Sequence, residues 1–238
     1  MIPWLEGSDP FPKLHTALAQ PNGLLAAGAD LSPARLIDAY RQGIFPWFNE
    51  GEPILWWSPS PRMVLFPQEL KLSRSFKKVL RNRRYEVRFD TQFDAVIAAC
   101  AEPRDGQAGT WISPMMMAAY RELHTMGIAH SAETWIDGEL AGGLYGLALG
   151  RMFYGESMFS RVAEGSKIAF AHLVWQLQRW RFGMIDCQMK TAHLASLGAR
   201  EVPRAQFMRR VSELIQYSTA PGPWRPDANL KEEMAADA

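Results

Sequence analysis

The sequence predicts an α/β (α+β) fold whose main domain is built on a mixed sheet flanked by helices. Residues 131–160 read as three strands separated by short turns, of which Asp137-Gly138 is typical of a two-residue hairpin. A helix over 166–182 follows, and the strand predicted at 184–190 returns by a right-handed crossover, parallel to a neighbour. Antiparallel hairpins joined to one parallel strand make the sheet mixed.

A smaller domain is predicted before this stretch. Residues 1–31 are rich in Pro, Gly and Asn and predict an irregular arm. Ser32 and Pro33 suit the N-cap and first position of a helix ending near Gly43, and Ser-Pro pairs at 58–61 predict a turn into a strand. We expect a small N-terminal domain at 1–62, the main domain at 63–220 and a disordered tail at 221–238, because the tail has a disorder-like composition.

The elements between these regions are mostly helical. Helices are predicted over 73–82 and 91–101, with a strand at 84–90 between them. Ser113 caps a further helix, and Gly127 ends it. These helices are expected to cover the sheet.

Composition and missing motifs narrow the possible functions. The formal net charge is only +1, so any nucleic-acid surface must be local. No apolar run has membrane-spanning length and the amino terminus does not resemble a signal peptide, so we expect a cytoplasmic protein without a membrane partner. Cys100 and Cys187 lack metal-site spacing. Phosphate-loop, dinucleotide, metal and nucleophile-elbow motifs are also missing, which removes the common covalent and metal mechanisms.

The helix predicted over 73–82 carries a basic stripe. Its basic residues recur at i, i+3, i+4 and i+7 and therefore share one face. The full basic set is Arg74, Lys77, Lys78, Arg81, Arg83 and Arg84. Such a stripe suits a polyanion, although an ordinary solvated helix face has the same pattern.

Two polar residues stand out in the strand at 184–190. Because strand side chains alternate, Asp186 and Gln188 are expected to point one way and Cys187 the other. An acid and an amide would then lie side by side above an apolar layer. In the preceding strand, Gly155 predicts a bulge or a close approach of a ligand.

The order of hairpin, third strand, glycine-bearing loop, helix and parallel strand is that of a GCN5-related N-acetyltransferase-like core. In that fold the loop before the helix receives a pyrophosphate on backbone N–H groups. Here residues 161–166 contain a single glycine and an acid, which is a poor match to a coenzyme A loop. The sequence therefore predicts an acyl-transfer fold without its usual cofactor.

Six ordered segments carry a resemblance to a known family. They are PNGLLAAGADLSPARL, GIFPWF, ILWWSPSPR, GTWI, GGLYGLALGRMFYGESMFSR and DCQMKTAHLASLGA, and together they span roughly residues 20–215. In these segments the chain resembles the bacterial leucyl/phenylalanyl-tRNA protein transferases. The resemblance implies an aminoacyltransferase that moves Leu or Phe, and less readily Met, from aminoacyl-tRNA to an N-terminal Arg or Lys.

The resemblance also implies partners. These are Leu-tRNA or Phe-tRNA and proteins that begin with Arg or Lys, which the added residue marks for N-degron (N-end rule) degradation. It implies no metal and no coenzyme A, and we expect a monomer. An aminoacyl ester is already activated, so the enzyme has to hold the ester and stabilise the oxyanion without a covalent nucleophile.

Site residues follow from the matching positions. The resemblance assigns catalysis to Asp186, Gln188 and Glu156, and stacking or lining at the terminal adenosine of tRNA to Tyr40, Trp47 and Trp111. It assigns the aminoacyl side-chain pocket to Phe153, Gly155, Met158, Phe170, Leu173, Leu177 and Ile185. The basic stripe is expected to bind the tRNA body.

Several alternatives stay open at this stage. The proton of the attacking amine could pass through Gln188 to Asp186, or the two residues could position it while the tRNA ribose assists. An acyl-CoA N-acetyltransferase would bind coenzyme A at 161–166 and act without RNA. A non-catalytic tRNA-binding module would explain the basic stripe but not the pair of polar residues.

Overall fold

A computed structural model describes residues 2–103, 110–219 and 222–230. The first of two sheets has four strands in the order β1-β2-β4-β3. Its strands are β1 Trp4–Leu5, β2 Leu24–Gly28, β3 Phe45–Pro46 and β4 Leu55–Trp57, and the helix α1, Pro33–Arg41, lies between β2 and β3 in sequence. The predicted irregular arm is therefore wrong in part. Residues 24–28 form a strand because Leu25 and Ala26 are fully buried between β1 and β4.

The second sheet has seven strands in the order β11-β5-β10-β9-β8-β7-β6. They are β5 Arg62–Leu65, β6 Glu86–Phe89, β7 Ala129–Ile136, β8 Glu139–Leu149, β9 Met152–Ser160, β10 Met184–Gln188 and β11 Arg200–Val202. Strand β10 runs parallel to β9 and every other neighbouring pair is antiparallel. The predicted mixed sheet, with a parallel strand after the crossover helix, is confirmed.

Helices cover both faces of this sheet. They are α2 Arg74–Asn82, α3 Phe93–Ala101, α4 Pro114–Thr125, α5 Gly165–Arg179, α6 Ala192–Ser196 and α7 Arg204–Leu214. Ser32 and Ser113 accept backbone N–H bonds as the predicted N-caps of α1 and α4. Leu173 of α5 is buried on one side of the sheet, and Val96 of α3 is buried on the other. Across the described ranges, no helix combines the length and apolar character needed to cross a membrane.

The C-terminal segment, residues 222–230, packs against the main domain. Trp224 and Leu230 are almost fully buried. The Trp224 backbone N–H donates to an Asp90 carboxylate oxygen at 2.6 Å, and Arg179 pairs with Asp227 at 3.1 Å. The predicted disorder from residue 221 is thus wrong for this segment, because its composition did not reveal how well a single indole packs here. Residues 231–238 lie outside the described part of the chain.

Candidate active site

A cavity of about 1120 Å³ lies where β9 and β10 meet the N-terminal sheet. Strand β3 and Trp47 contribute to the lining, and so do β9 and the end of β10. The lining combines apolar side chains with polar ones, and the polar ones include Glu156, Asp186 and Gln188. The three predicted catalytic residues are therefore brought together at one cavity.

Glu156 reaches the cavity because β9 is bulged. Tyr145 pairs with Ser157 and Gly146 pairs with Gly155, so Glu156 has no partner residue on β8. An extra residue in one strand re-aims its side chain, and such bulges occur often beside active sites. The bulge predicted at Gly155 is confirmed, and the side chains of β9 therefore do not alternate regularly.

Three side chains hold the Glu156 carboxylate. The Tyr40 hydroxyl donates to Oε1 at 2.7 Å, the Tyr120 hydroxyl to Oε2 at 2.9 Å, and the Gln188 amide to Oε1 at 3.1 Å. The two tyrosine hydroxyls are also 2.5 Å apart. Burial raises the pKa of both tyrosines well above their usual range, so they remain protonated donors.

The pKa of the Glu156 carboxyl lies close to neutral pH. Burial raises its pKa from 4.5 to about 7, and the nearby Asp186 adds to this rise. Hydrogen bonds from Tyr40, Tyr120 and Gln188 act in the opposite direction. A carboxylate with this pKa in a cavity can accept a proton near neutral pH and release it again.

Asp186 forms a buried ion pair with Arg62. Its Oδ1 accepts from Arg62 Nε at 2.8 Å and its Oδ2 from Arg62 Nη2 at 2.6 Å, with both side chains fully buried. The guanidinium lies against the rings of Phe45 and Phe207, at 4.6 and 4.8 Å from their centroids. This two-pronged pair spans the junction between β5 and β10.

The end of β10 departs from regular alternation. Asp186 pairs with Val64 and Gln188 with Met63, which leaves Cys187 as a bulge, and Gln188 has a positive φ of 60°. Asp186 Oδ1 accepts the Gln188 backbone N–H at 2.8 Å, whereas the Gln188 side chain bonds Glu156. The predicted alternation is therefore wrong: Cys187 also lines the cavity, and the strand ends before residue 190.

Of the three aromatic residues assigned to the tRNA adenosine, two line the cavity and one does not. Trp47 is 41% exposed, and it lines the cavity together with the partly buried Trp111. Tyr40 is completely buried behind Glu156 and does not line the cavity. Its assigned position at the adenosine is corrected, because the hydroxyl is directed at the carboxylate and the ring packs on Tyr154.

The predicted aminoacyl pocket is found in part. The residues that line the cavity are Phe153, Gly155, Met158, Phe170 and Ile185. Leu173 and Leu177 instead lie in the core between α5 and the sheet. Their assignment to the pocket wall is corrected, because helical periodicity cannot separate a side chain that faces a cavity from one that lies a turn further into the core.

The basic stripe of α2 lies on the surface. Phe76 and Leu80 pack the helix against Ile168 and Ala171 of α5. Arg74, Lys78, Arg81 and Arg84 are exposed, while Lys77 and Arg83 are partly buried. Arg83 donates to the Ala163 carbonyl at 2.7 Å, and no member of the stripe lines the cavity.

The start of α5 is closed by the protein itself. The Ser166 backbone N–H donates to Ser160 Oγ at 2.8 Å, and a Cβ at Gly142 would lie 2.5 Å from the Gly165 carbonyl carbon. The acidic Glu164 occupies the N-cap position. A pyrophosphate is disfavoured here, because Ser160 Oγ already accepts a backbone N–H at the helix start and Glu164 adds a negative charge beside it.

Sequence reasoning missed Arg62 and Tyr120, which complete the site. Arg62 directly follows the predicted Ser-Pro turn, and an arginine inside an apolar strand usually has an acidic partner. That signal could have suggested an ion pair. Tyr120 gave no comparable signal, because a tyrosine on the apolar face of a helix is usually core. No cluster of three or more His, Cys, Asp or Glu side chains within the described ranges could hold a metal ion.

Family models and individual relatives point to the same protein family. The sequence model of the leucyl/phenylalanyl-tRNA protein transferases matches residues 64–212, and that of their N-terminal domain matches residues 29–60. The leucyl/phenylalanyl-tRNA protein transferase of Nitrosospira multiformis is 67% identical over 94% of this chain and 97% of its own length. The protein of the same name from Nitrosomonas europaea is 65% identical over 90% of this chain and 91% of its own length.

Two solved structures show a weak resemblance to the chain. L-PGS from Bacillus licheniformis has a TM-score of 0.43 and 9% identity, covering 79% of this chain and 71% of its own. A GCN5-related N-acetyltransferase from Kribbella flavida has a TM-score of 0.32 and 9% identity, covering 71% and 60%. Values this low carry no argument about function. The sequence matches do: the chain belongs to the leucyl/phenylalanyl-tRNA protein transferase family.

Proposed function

We propose that this protein transfers Leu or Phe, and less readily Met, from aminoacyl-tRNA to the α-amine of proteins that begin with Arg or Lys. The observation that carries the proposal is Glu156, a carboxylate whose pKa is raised to about 7 on the wall of a cavity with an apolar pocket. Family membership supports Leu-tRNA or Phe-tRNA as the donor and a protein as the acceptor. The extended proteins would then enter N-degron degradation.

The proposed reaction forms an amide and breaks an ester. The acceptor amine attacks the carbonyl of the aminoacyl ester, and Glu156 takes the proton that the new ammonium must lose. The ester C–O bond then breaks, the ribose oxygen takes up a proton, and Glu156 can supply it. The free α-amine has a pKa of about 7.7–8.0, so a part of it is neutral slightly above pH 7 and can attack, while Glu156, whose pKa is raised to about 7, is then largely ionised and can accept the proton.

Gln188 and Asp186 have supporting parts in this proposal. The Gln188 amide donates to Glu156 at 3.1 Å and fixes the position of the carboxylate. Asp186 holds the Gln188 backbone N–H at 2.8 Å, and Arg62 holds Asp186. A relay in which Asp186 is the proton acceptor is disfavoured, because a proton on its carboxylate would leave the fully buried Arg62 charge without its partner.

The cavity also supports the proposed binding of the donor. The apolar side chains Phe153, Phe170 and Ile185 can surround a Leu or Phe side chain. An apolar pocket discriminates a methylene by only about 1–3 kcal/mol, which agrees with tolerance for several apolar amino acids. Cationic acceptors are favoured by the acids Glu50 and Glu156, since no Lys or Arg lines the cavity among the residues that the structure describes.

The donor is tested by following labelled leucine from Leu-tRNA to a peptide that begins with Arg. We expect transfer that ribonuclease abolishes and that acetyl-CoA neither replaces nor inhibits. Acetylation of the peptide from acetyl-CoA without RNA would contradict the proposal and favour an N-acetyltransferase. Binding of tRNA without any transfer would favour a non-catalytic binding module.

Trp111→Ala is expected to raise KM for aminoacyl-tRNA by about 5- to 160-fold, since the stacking of one base contributes about 1–3 kcal/mol. The value of kcat should change little, because the hydrogen bonds that hold Glu156 come from Tyr40, Tyr120 and Gln188 and not from Trp111. Steady-state kinetics with Leu-tRNA measure both constants. Trp4→Ala is the control, since Trp4 is 61% exposed and does not line the cavity. An unchanged KM for Trp111→Ala would remove this residue from the adenosine site.

Arg81→Glu is expected to weaken binding of Leu-tRNA and of Phe-tRNA by the same factor. The slope of log affinity against log salt concentration should become smaller in magnitude by about 1, because one phosphate contact is lost. The side chain is exposed on α2, where it can meet the tRNA backbone. Filter binding over a salt series measures both quantities. Arg209→Glu makes the same charge change on α7 and should leave the slope as it is. Equal effects of the two variants would show that only net charge matters.

A further inference from the structure

The C-terminal segment, residues 222–230, is tied to the main domain at both ends. Near its start, Asp90 accepts the Trp224 backbone N–H at 2.6 Å and also bonds His130 Nδ1 at 2.8 Å. Further on, the Asp227 backbone N–H donates to Gln176 at 2.8 Å. The segment therefore lies across β7 and α5 in a defined position.

These contacts place the Trp224 indole in the core. It stacks on His130 with ring centroids 3.6 Å apart and an interplanar angle of 5°. Trp180 and Phe182 meet it edge-on, at 5.0 and 6.0 Å. Only 2% of Trp224 is exposed, so its position is set by the protein and not by solvent.

Trp224 also lies against Phe153, whose ring faces the cavity. The two ring centroids are 6.1 Å apart. On β8, a Cβ at Gly146 would lie 2.6 Å from the Phe153 ring, so the ring already uses the space that a side chain there would need. Phe153 is thus confined between Gly146 and Trp224. The position of its ring fixes how far the cavity extends toward the C-terminal segment.

We propose that Trp224 is a positioning residue that sets the depth of the aminoacyl side-chain pocket by holding Phe153 in place. This inference rests on the proposed function, because it takes the apolar part of the cavity to be the pocket for the transferred amino acid. Trp224 itself touches no substrate. Its effect is on the choice between amino acids, and it places a determinant of donor specificity in the C-terminal segment.

The inference predicts a change in preference when the indole is removed. Trp224→Leu leaves space behind Phe153, so the Phe153 ring can move back and deepen the pocket. A Phe side chain then gains room while Leu loses contacts. We expect the ratio of kcat/KM for Phe-tRNA to that for Leu-tRNA to rise about tenfold, in the range for one added methylene in an apolar pocket.

The experiment measures this ratio for the full chain with both donors and one peptide that begins with Arg. Phe11→Leu is the matched control: it removes a buried aromatic that packs on Trp56 at 4.9 Å, away from the cavity, and should leave the ratio as it is. If Trp224→Leu does not fold, Trp224→Phe is measured instead, with a smaller shift in the same direction expected.

The outcomes separate the inference from the proposed function. A higher Phe-to-Leu ratio in the Trp224 variant, with none in Phe11→Leu, supports the role of Trp224. An unchanged ratio in a folded, active Trp224 variant overturns it and leaves the proposed function intact, and so does an equal shift in both variants. If the unaltered protein transfers neither amino acid, the proposed function fails and the inference fails with it.

Discussion

Glu156→Gln is expected to lower kcat for leucine transfer by about 10²- to 10⁴-fold, the usual contribution of a general base. Glutamine keeps the size of the side chain and one oxygen, which can accept either the Tyr40 or the Tyr120 hydroxyl, but it cannot take a proton from the amine. Single-turnover transfer from Leu-tRNA to a peptide that begins with Arg measures the effect. Glu139→Gln, at the exposed first residue of β8, is the control.

The pH dependence follows from the raised pKa of Glu156. Only the carboxylate accepts a proton, so kcat/KM of the unaltered protein should rise as the pH passes about 7. The acceptor amine adds a second rise near its own pKa of about 7.7–8.0. In Glu156→Gln only the second rise should remain. A first rise that persists in the variant would show that another group is the base.

The free energy of unfolding should fall as the pH rises toward 7, whereas kcat/KM should increase. Because burial raises the folded-state pKa of Glu156 to about 7 from 4.5, the folded protein holds this proton more tightly than the unfolded chain. Its contribution to stability is therefore complete below pH 4.5 and is lost as the pH rises toward 7. Glu156→Gln lacks this loss, so it should unfold at no lower urea concentration than the unaltered protein at pH 8.

Asp186→Ala is expected to destabilise the protein by about 3–5 kcal/mol, because it leaves the buried Arg62 charge without its partner. Both side chains are fully buried, and two hydrogen bonds of 2.8 and 2.6 Å join them. Transfer should also fall, since the Gln188 backbone loses its acceptor. Urea unfolding followed by fluorescence measures the free energy.

The double variant Arg62→Met/Asp186→Leu is the control for this effect. Removing both charges of a buried pair costs much less than removing one. The double variant should therefore be more stable than Asp186→Ala, although it stays impaired in transfer because Gln188 is no longer held. If Asp186→Ala loses transfer while its free energy of unfolding is unchanged, Asp186 acts in the chemistry itself and not through the ion pair.

Much of the fold could be predicted because its signals are local. The turn at Asp137-Gly138 predicted the hairpin of β7 and β8 without reference to the rest of the chain. Ser113 predicted the start of α4 for a similar reason. The crossover from β9 through α5 to β10 followed from the handedness of such connections.

What the sequence did not reveal depends on contacts between distant residues. Arg62 and Asp186 are 124 residues apart, and Tyr40 and Glu156 are 116 apart. Local pattern shows that Tyr40 belongs to an apolar helix face, but not that its hydroxyl ends at a carboxylate. The bulge at Cys187 was missed for the same reason, since alternation assumes a regular strand and the irregularity arises in pairing with β5.

The position at which leucine is added tests the proposed transfer reaction most directly. The unaltered protein is incubated with Leu-tRNA and three peptides that differ only at the amino terminus: Arg, Ala and Nα-acetylated Arg. Mass spectrometry with fragmentation then locates the added residue. We predict one leucine in amide linkage on the α-amine of the Arg peptide and none on the other two. Equal addition to the Ala peptide, or any addition to the acetylated peptide, would contradict the account.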